Sequence, residues 1–244
     1  MHSNSYTLLY AAAISVVTAI ILAVTSEGLK PLQEANVALD TKKNILRSVR
    51  IASEDRATIE QTYNANVQEL VVNSAGEVLS DVSAKSIRLK DQVNKAPEAR
   101  QMPLYVYTGE AGKKYYVVPV YGVGLWGPIW GYLALEDDFN TVYGSFFDHK
   151  GETPGLGAEI AEKPFQEQFQ GKKIMSDQDK FVSVRVVKKA DKFTLGDEHR
   201  VDGISGGTIT SRGVDAMLRN CIEPYLSYFE TVKSSTGAVM PESK

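Results

Sequence analysis

The chain has 244 residues, 43% hydrophobic and 23% charged, enough to bury one sizeable domain with an appendage. Its net charge of −3 leaves no electrostatic footprint for a phosphate backbone, so nucleic acid is not expected as a partner. A single cysteine, Cys221, and three scattered histidines, His2, His149 and His199, exclude an internal disulfide framework, a cysteine-rich iron–sulfur site and a histidine-based metal centre.

Tyr6 to Val24 carries no charge, and about 19 residues at a helical rise span roughly 28 Å, the width of one hydrocarbon core. The leader MHSNS lacks a basic region and no small-x-small cleavage site precedes Glu27, so an uncleaved anchor is expected rather than a signal peptide. Lys30, Lys42 and Lys43 follow the span while no Lys or Arg precedes it. Taken literally, the positive-inside rule would leave the domain in the cytoplasm, but Glu27, Glu34 and Asp40 interleave with those lysines and weaken the signal.

Pro31 to Val49 reads as a helix with a broken apolar stripe, and Ser53 is placed to cap a second one through about Asn64. From Val67 the period changes. Val67 to Asn73, a Ser-Ala-Gly turn and Glu77 to Leu79 read as a hairpin. Residues 80–100 are polar and irregular, which suggests a surface excursion. Leu104 to Thr108 with Tyr115 to Tyr121, and Gly131 to Glu136 with Thr141 to Asp148, make two further hairpins and so an antiparallel sheet.

Gly122 to Gly127 formally matches G-x-G-x-x-G, yet it leads through Pro128 into another strand instead of opening a helix, which argues against a dinucleotide fold. Glycines flanked by Trp126 and Trp130 read either as a close backbone approach to something flat or as a well-packed corner. Next, HKGETPGLG (His149 to Gly157) delivers the chain into a helix expected from about Ala158 to Phe169. In it, His149 and Glu152 read as a loop-stabilising hydrogen bond more readily than as an acid/base pair, since no nucleophile or metal ligand is near in sequence. Phe181 to Val187 alternates as a strand, and residues 188–201 form a charged loop.

DGISGGTITS (Asp202 to Ser211) then feeds a long amphipathic pattern, Val214 to Phe229. Ser205 or Thr208 is placed to cap free amides at that helix start, and the same amides with the helix dipole favour a phosphate. Cys221 lies on the apolar face beside Leu218 and Ile222, as a packing residue. The expected architecture is α+β, an antiparallel sheet with flanking helices preceded by one N-terminal transmembrane helix. Residues 1–5 form a leader, 6–25 the span, 26–232 the folded domain with a helical lead-in over about 31–64, and 233–244 a disordered tail.

HKGETPGLG resembles the H-x-E-T-P-G-L-G segment, and DGISGGTITS the D-x-x-S-G-A-T-x-T-S segment, of bacterial FMN-binding domains that carry flavin covalently. With GVGLWG and the anchor, they resemble the C-subunit family (NqrC) of the sodium-translocating NADH:quinone oxidoreductase. The G subunit of Rnf-type ferredoxin:NAD complexes shares the anchor and both motifs, but GLWG followed by GYLAL is more like the quinone-reductase family. The resemblance implies FMN joined by a phosphoester to Thr210, with a separate flavin transferase making the bond from FAD. It also implies that Ser205, Gly206, Gly207 and Thr208 line the phosphate and ribityl chain, that Thr153, Leu156 and Gly157 face the isoalloxazine, and that Trp126 belongs to the same site. Gly207 stands where the family usually has alanine, a departure expected to leave flavin attachment intact.

With no dinucleotide fingerprint, cysteine cluster or evident catalytic base, the chain is expected to relay electrons and not to oxidise NADH or reduce quinone alone. The resemblance supplies partners: the other subunits of a six-subunit membrane complex, notably the B subunit and the D and E membrane subunits, with sodium export coupled elsewhere. It places the domain on the periplasmic side of the inner membrane, against the literal charge count. A rival reading of another class is a membrane-anchored binding or sensory module without flavin.

Overall fold

The computed structural model describes residues 4–237 and divides the chain into two compact units, residues 1–42 and 43–244. The first unit is helical. Helix α1 runs from Asn4 to Ser48 without a break, although Pro31 lies inside it, where the sequence suggests separate helices on either side. One proline removes a single N–H donor, toward the Glu27 carbonyl, and the helix continues through that loss. Its apolar stretch reaches a mean hydropathy of 2.4 over its best 18 residues, and residues 4–38 are all exposed, which fits a membrane anchor in length and composition.

The second unit is a sheet clad on both faces. It opens with the last residues of α1 and with α2 (Arg56–Asn66), which is capped by Asp55 and not by Ser53. The Asp55 carboxylate accepts from Thr58 N at 2.8 Å, whereas Ser53 Oγ only accepts from Asp55 N. Strands β1 (Val67–Asn73), β2 (Gln101–Thr108), β3 (Lys114–Val123), β4 (Pro128–Leu135) and β5 (Val142–His149) form an antiparallel meander in chain order. The first expected hairpin is reduced to a turn and one bridge, Val72 to Val78, on the edge of β1 that faces away from β2. Between β1 and β2 the irregular segment holds α3 (Leu89–Val93) among short 3-10 turns. The other two hairpins form as expected, with Tyr107 opposite Tyr115 and Gly131 opposite Phe147.

After β5 the expected helix is three short pieces: a 3-10 turn (Gly157–Ala161), α4 (Lys163–Gln166) and another 3-10 turn (Glu167–Phe169). Pro164 cannot continue an incoming helix but starts a new one. Its apolar residues still face inward, and Phe165 and Phe169 pack on Phe147 of β5. Strand β6 is only Arg185–Val187, and it pairs in parallel with β7 (Arg200–Asp202), which begins at the end of the segment read as a charged loop. Asp215 reaches β6 from the following helix, pairing with Arg185 at 2.8 Å and accepting from Val186 N at 2.9 Å.

The amphipathic run splits at Pro224 into α5 (Thr208–Ile222), a 3-10 turn (Glu223–Tyr225) and α6 (Leu226–Gly237). Residues 233–237, expected to be disordered, continue α6, and the rest of that tail lies outside the described residues. Val214, Leu218 and Ile222 of α5 join Tyr116, Val118 and Val120 of β3 in the main core. Each such aliphatic side chain contributes about 1.5–3 kcal/mol on burial. At Gly213 the helix comes so close to β3 that a Cβ would stand 2.3 Å from the Val123 carbonyl oxygen. The opposite face of the sheet, including Val117 and Ala134, is buried too, with the end of α1 so near that a Cβ on Gly144 would meet the Ser48 carbonyl at 2.5 Å. These contacts fix the end of β3, the loop after β5 and the start of α5 side by side.

Candidate functional site

Three loops converge where α5 begins. The first is the β3–β4 turn, closed by Gly124 N donating to the Gly127 carbonyl at 2.8 Å. The G-x-G-x-x-G stretch is therefore a hairpin end, as its lead into Pro128 implied. The second is the loop after β5, in which Thr153 O accepts from both Leu156 N and Ala158 N, and Gly155 takes a φ of 74°. The third joins β7 to α5. Gly203 N donates to Val187 O, Ile204 N donates to Ser211 Oγ at 2.9 Å, and Gly206 turns the chain at a φ of 74°.

The N-cap of α5 is Gly207, with no side-chain cap, so neither Ser205 nor Thr208 serves as the cap expected from the sequence. Ser205 is exposed, and Ser211, inside the helix, accepts from Ile204 N and so ties α5 back to the loop without capping its amides. The first-turn amides of a helix have no intrahelical acceptor, and here no capping side chain stands over them. The residues of that turn, Thr208 to Thr210, line a groove of about 210 Å³ together with the start of the 3-10 turn at Gly157.

Of the residues singled out in the sequence, Thr153, Leu156, Gly157, Gly206, Gly207, Thr208 and Thr210 line this groove. Trp126 stands beside it, 69% exposed, with its indole Nε1 donating to Thr153 Oγ1 at 3.2 Å. Ser205 lies outside the lining residues. The rim is apolar: Leu125, Leu156 and Ile209 are 49%, 41% and 55% exposed around a polar floor.

On that floor sits Glu152, 4% exposed. Its Oε1 accepts from Trp126 N at 2.8 Å and its Oε2 from Thr210 Oγ1 at 2.6 Å, the length of a charge-assisted O–H···O⁻ bond. Burial acts to raise its pKa, but the Thr210 hydroxyl, the N–H groups of Trp126 and Leu125, and nearby His149 outweigh it and hold the carboxyl below its usual range. The His149 ring contacts the backbone of Glu152 instead, its Nδ1 accepting from Glu152 N at 3.0 Å. Two glycines make room for the pair. A Cβ on Gly124 would stand 2.5 Å from Glu152 Oε1, and one on Gly157 would stand 2.5 Å from both Glu152 Oε2 and Thr210 Oγ1.

A family model described as FMN-binding domain matches residues 124–223, the span from the β3–β4 turn to the end of α5. Over the whole length, the chain is 34% identical to the C subunit of the Na(+)-translocating NADH-quinone reductase of Haemophilus ducreyi, with 97% of each chain covered. The chain belongs to this C-subunit family. The C subunit of Neisseria meningitidis serogroup B is 32% identical over 96% of each chain. Among solved structures, the C subunit of Parabacteroides distasonis superposes with a TM-score of 0.74 at 39% identity, covering 82% of this chain and 96% of that one. The NqrC of Shewanella oneidensis gives 0.68 at 28% identity, covering 80% and 97%.

Within the NqrC frame the groove fits a flavin mononucleotide. Uncapped amides at the start of α5 suit a phosphate, glycines 206, 207 and 157 add no side chain beside Glu152 and Thr210 on the floor, and the apolar rim suits an aromatic ring system. Sequence reasoning passed over Leu125 and Ile209, and it paired Glu152 with His149 without finding its contact with Thr210. The first two are ordinary apolar residues beside motif positions and give no signal. Glu152 stood in the motif, but its partner is 58 residues away and no spacing rule connects them.

Proposed function

We propose that this chain is the electron-relay subunit of a Na(+)-translocating NADH-quinone reductase, carrying FMN as a phosphoester on Thr210. The observation that carries the reading is the placement of Thr210. Its Oγ1 lies in the first turn of α5, on the floor of the glycine-lined groove, within the stretch that matches FMN-binding domains. When bound, FMN supplies one- and two-electron redox chemistry.

The protein's part is to tether and orient. Amides of the first turn of α5 hold the phosphate, and Gly206, Gly207 and Thr208 flank it, with Ser205 on the outer side of the loop. Thr153, Leu156 and Gly157 face the ring system from the other loop, and Trp126, tied to Thr153, closes that side. The rim of Leu125, Leu156 and Ile209 keeps water from the ring, which tunes its reduction through a low local dielectric. In the assembly, electrons would arrive from an iron–sulfur centre held by membrane subunits and pass to the flavin of the B subunit, with sodium export coupled elsewhere. Residues near 6–25 anchor the chain by a single pass in the inner membrane, and the domain stands on the periplasmic side. Full-length identity to quinone-reductase subunits favours this assembly over an Rnf-type complex.

The test is in-gel flavin fluorescence under denaturing conditions after co-expression with a flavin transferase. A fluorescent band that disappears in Thr210→Val is the expected result. A dark wild-type band beside an active transferase sinks the proposal and leaves a binding or sensory module without flavin.

A further inference from the structure

We propose that Glu152 is a catalytic residue for the chain's own flavin attachment, accepting the Thr210 hydroxyl proton as Oγ1 bonds to the phosphorus of a flavin dinucleotide. The proposal rests on Thr210 being the attachment point. As the Oγ1–P bond forms, the P–O bond of the pyrophosphate breaks and its electron pair leaves on the adenylate. The proton passes from Oγ1 to Glu152 Oε2 and on to water. No group is oxidised or reduced.

The geometry points to this role because the bond joins a helical hydroxyl to a buried carboxylate of a distant loop; Thr58, in the first turn of α2, also donates to a carboxylate, but to its own exposed N-cap, Asp55, three residues back. Thr41, Thr231 and Ser234 each donate to the carbonyl four residues back, the usual resting place for a helical hydroxyl. Thr210, in the first turn, has no helical carbonyl behind it, and its proton goes to a carboxylate from another element. A backbone carbonyl or an amide would satisfy a threonine hydroxyl equally well at far lower cost than a buried anion. What a carboxylate adds is the capacity to accept the proton itself, and at 2.6 Å Oε2 is within reach of a general base.

Glu152 is also held for that task. Oε1 is fixed by Trp126 N, the backbone N–H of Glu152 by the His149 ring, and the carboxylate lies between Gly124 and Gly157, where no side chain intrudes. His149, at the end of β5, is the neighbouring ring, and the hydrogen bonds already named keep the carboxylate ionised, so that Oε2 has a lone pair to receive the proton. Both Glu152 and Thr210 line the groove, so a phosphoryl group entering there meets nucleophile and base together.

The experiment uses the full-length chain in detergent with purified transferase, FAD and Mg²⁺, following flavin incorporation by intact mass and mapping the modified peptide. Wild type is expected to load on Thr210. Glu152→Gln keeps the shape and an acceptor for Trp126 N, and should load the same residue at least about 100-fold more slowly. The same transferase acts on both chains, so the rate ratio isolates Glu152. It should shrink as pH rises and solvent base replaces the missing carboxylate, and Glu152→Asp should recover much of the rate.

A Gln variant that loads within threefold of wild type, or a ratio flat with pH together with an Asp variant as slow as Gln, overturns the proposal in favour of a purely structural carboxylate. If the Gln variant is unfolded by circular dichroism, Glu152→Ala against Glu152→Asp carries the comparison, the Asp variant loading faster if a carboxylate is required and no faster if it is not. Wild type modified elsewhere than Thr210, or unmodified by an active transferase, overturns the attachment reading itself, whatever Glu152→Gln does.

Discussion

Gly157→Ala concentrates the site's logic in one methyl group. A Cβ there would stand 2.5 Å from both Glu152 Oε2 and Thr210 Oγ1, and ordinary contact begins at 3.4 Å, so the two oxygens must each give way by about 0.9 Å. Neither is the loose end of a free side chain. Glu152 is pinned at its other oxygen by Trp126 N, and Thr210 is rooted in α5. The 2.6 Å bond between them therefore breaks, and a buried carboxylate loses its hydroxyl donor. Losing a hydrogen bond to a charged group costs about 1.5–3 kcal/mol. In a domain of this size that lowers Tm by about 5–10 °C.

Thermal melting by circular dichroism reads the stability, and the flavin-loading assay should show a matching fall in modified chain. The same substitution made in a Glu152→Gln background should cost clearly less, because no charged bond remains to be broken. A Gly157→Ala protein that melts within about 1 °C of wild type and loads normally would refute the close packing of base and nucleophile.

Acid should weaken the same region. The folded pKa of Glu152 lies below its ordinary value of 4.5, so its stabilising share is fully present above pH 4.5 and is lost as pH falls through the lower folded value. Melting curves from pH 6 down to pH 3 should show a component of the loss that is missing in Glu152→Gln. The Cys221 thiol, buried between Tyr121 N and Tyr121 O, is pushed up to about 11 by burial. It should stay unmodified by an aromatic disulfide reagent at pH 8 and react at once in denaturant; rapid labelling of the native protein would contradict its place in the core.

The sheet was legible because the period-2 alternation of β2 to β5 survives in short, turn-bounded runs, and a meander requires nothing beyond neighbouring hairpins. What was misread has specific causes. Phe165 and Phe169 carry an inward periodicity that looks helical, but Pro164 breaks it. Strand β7 hides among charges because its three residues pair in parallel with β6, a long-range choice with no local signature. Ser53 and Asp55 are both good caps, and only the φ/ψ of the built chain selects Asp55. At the site, the groove's glycines and Thr210 were visible as a motif. The Glu152 contact was not, since hydrogen bonds between distant loops leave no periodic trace.

That distance has a bearing on biogenesis. Strands β2 to β5 pair with close neighbours in the chain, whereas Glu152 and Thr210 are 58 residues apart and meet only when α5 docks on β3. With the proton acceptor absent from an unfolded or half-folded chain, flavin attachment would serve as a checkpoint. Only molecules that had completed the fold would be marked, and the flavin content of a preparation would be a census of correctly closed domains.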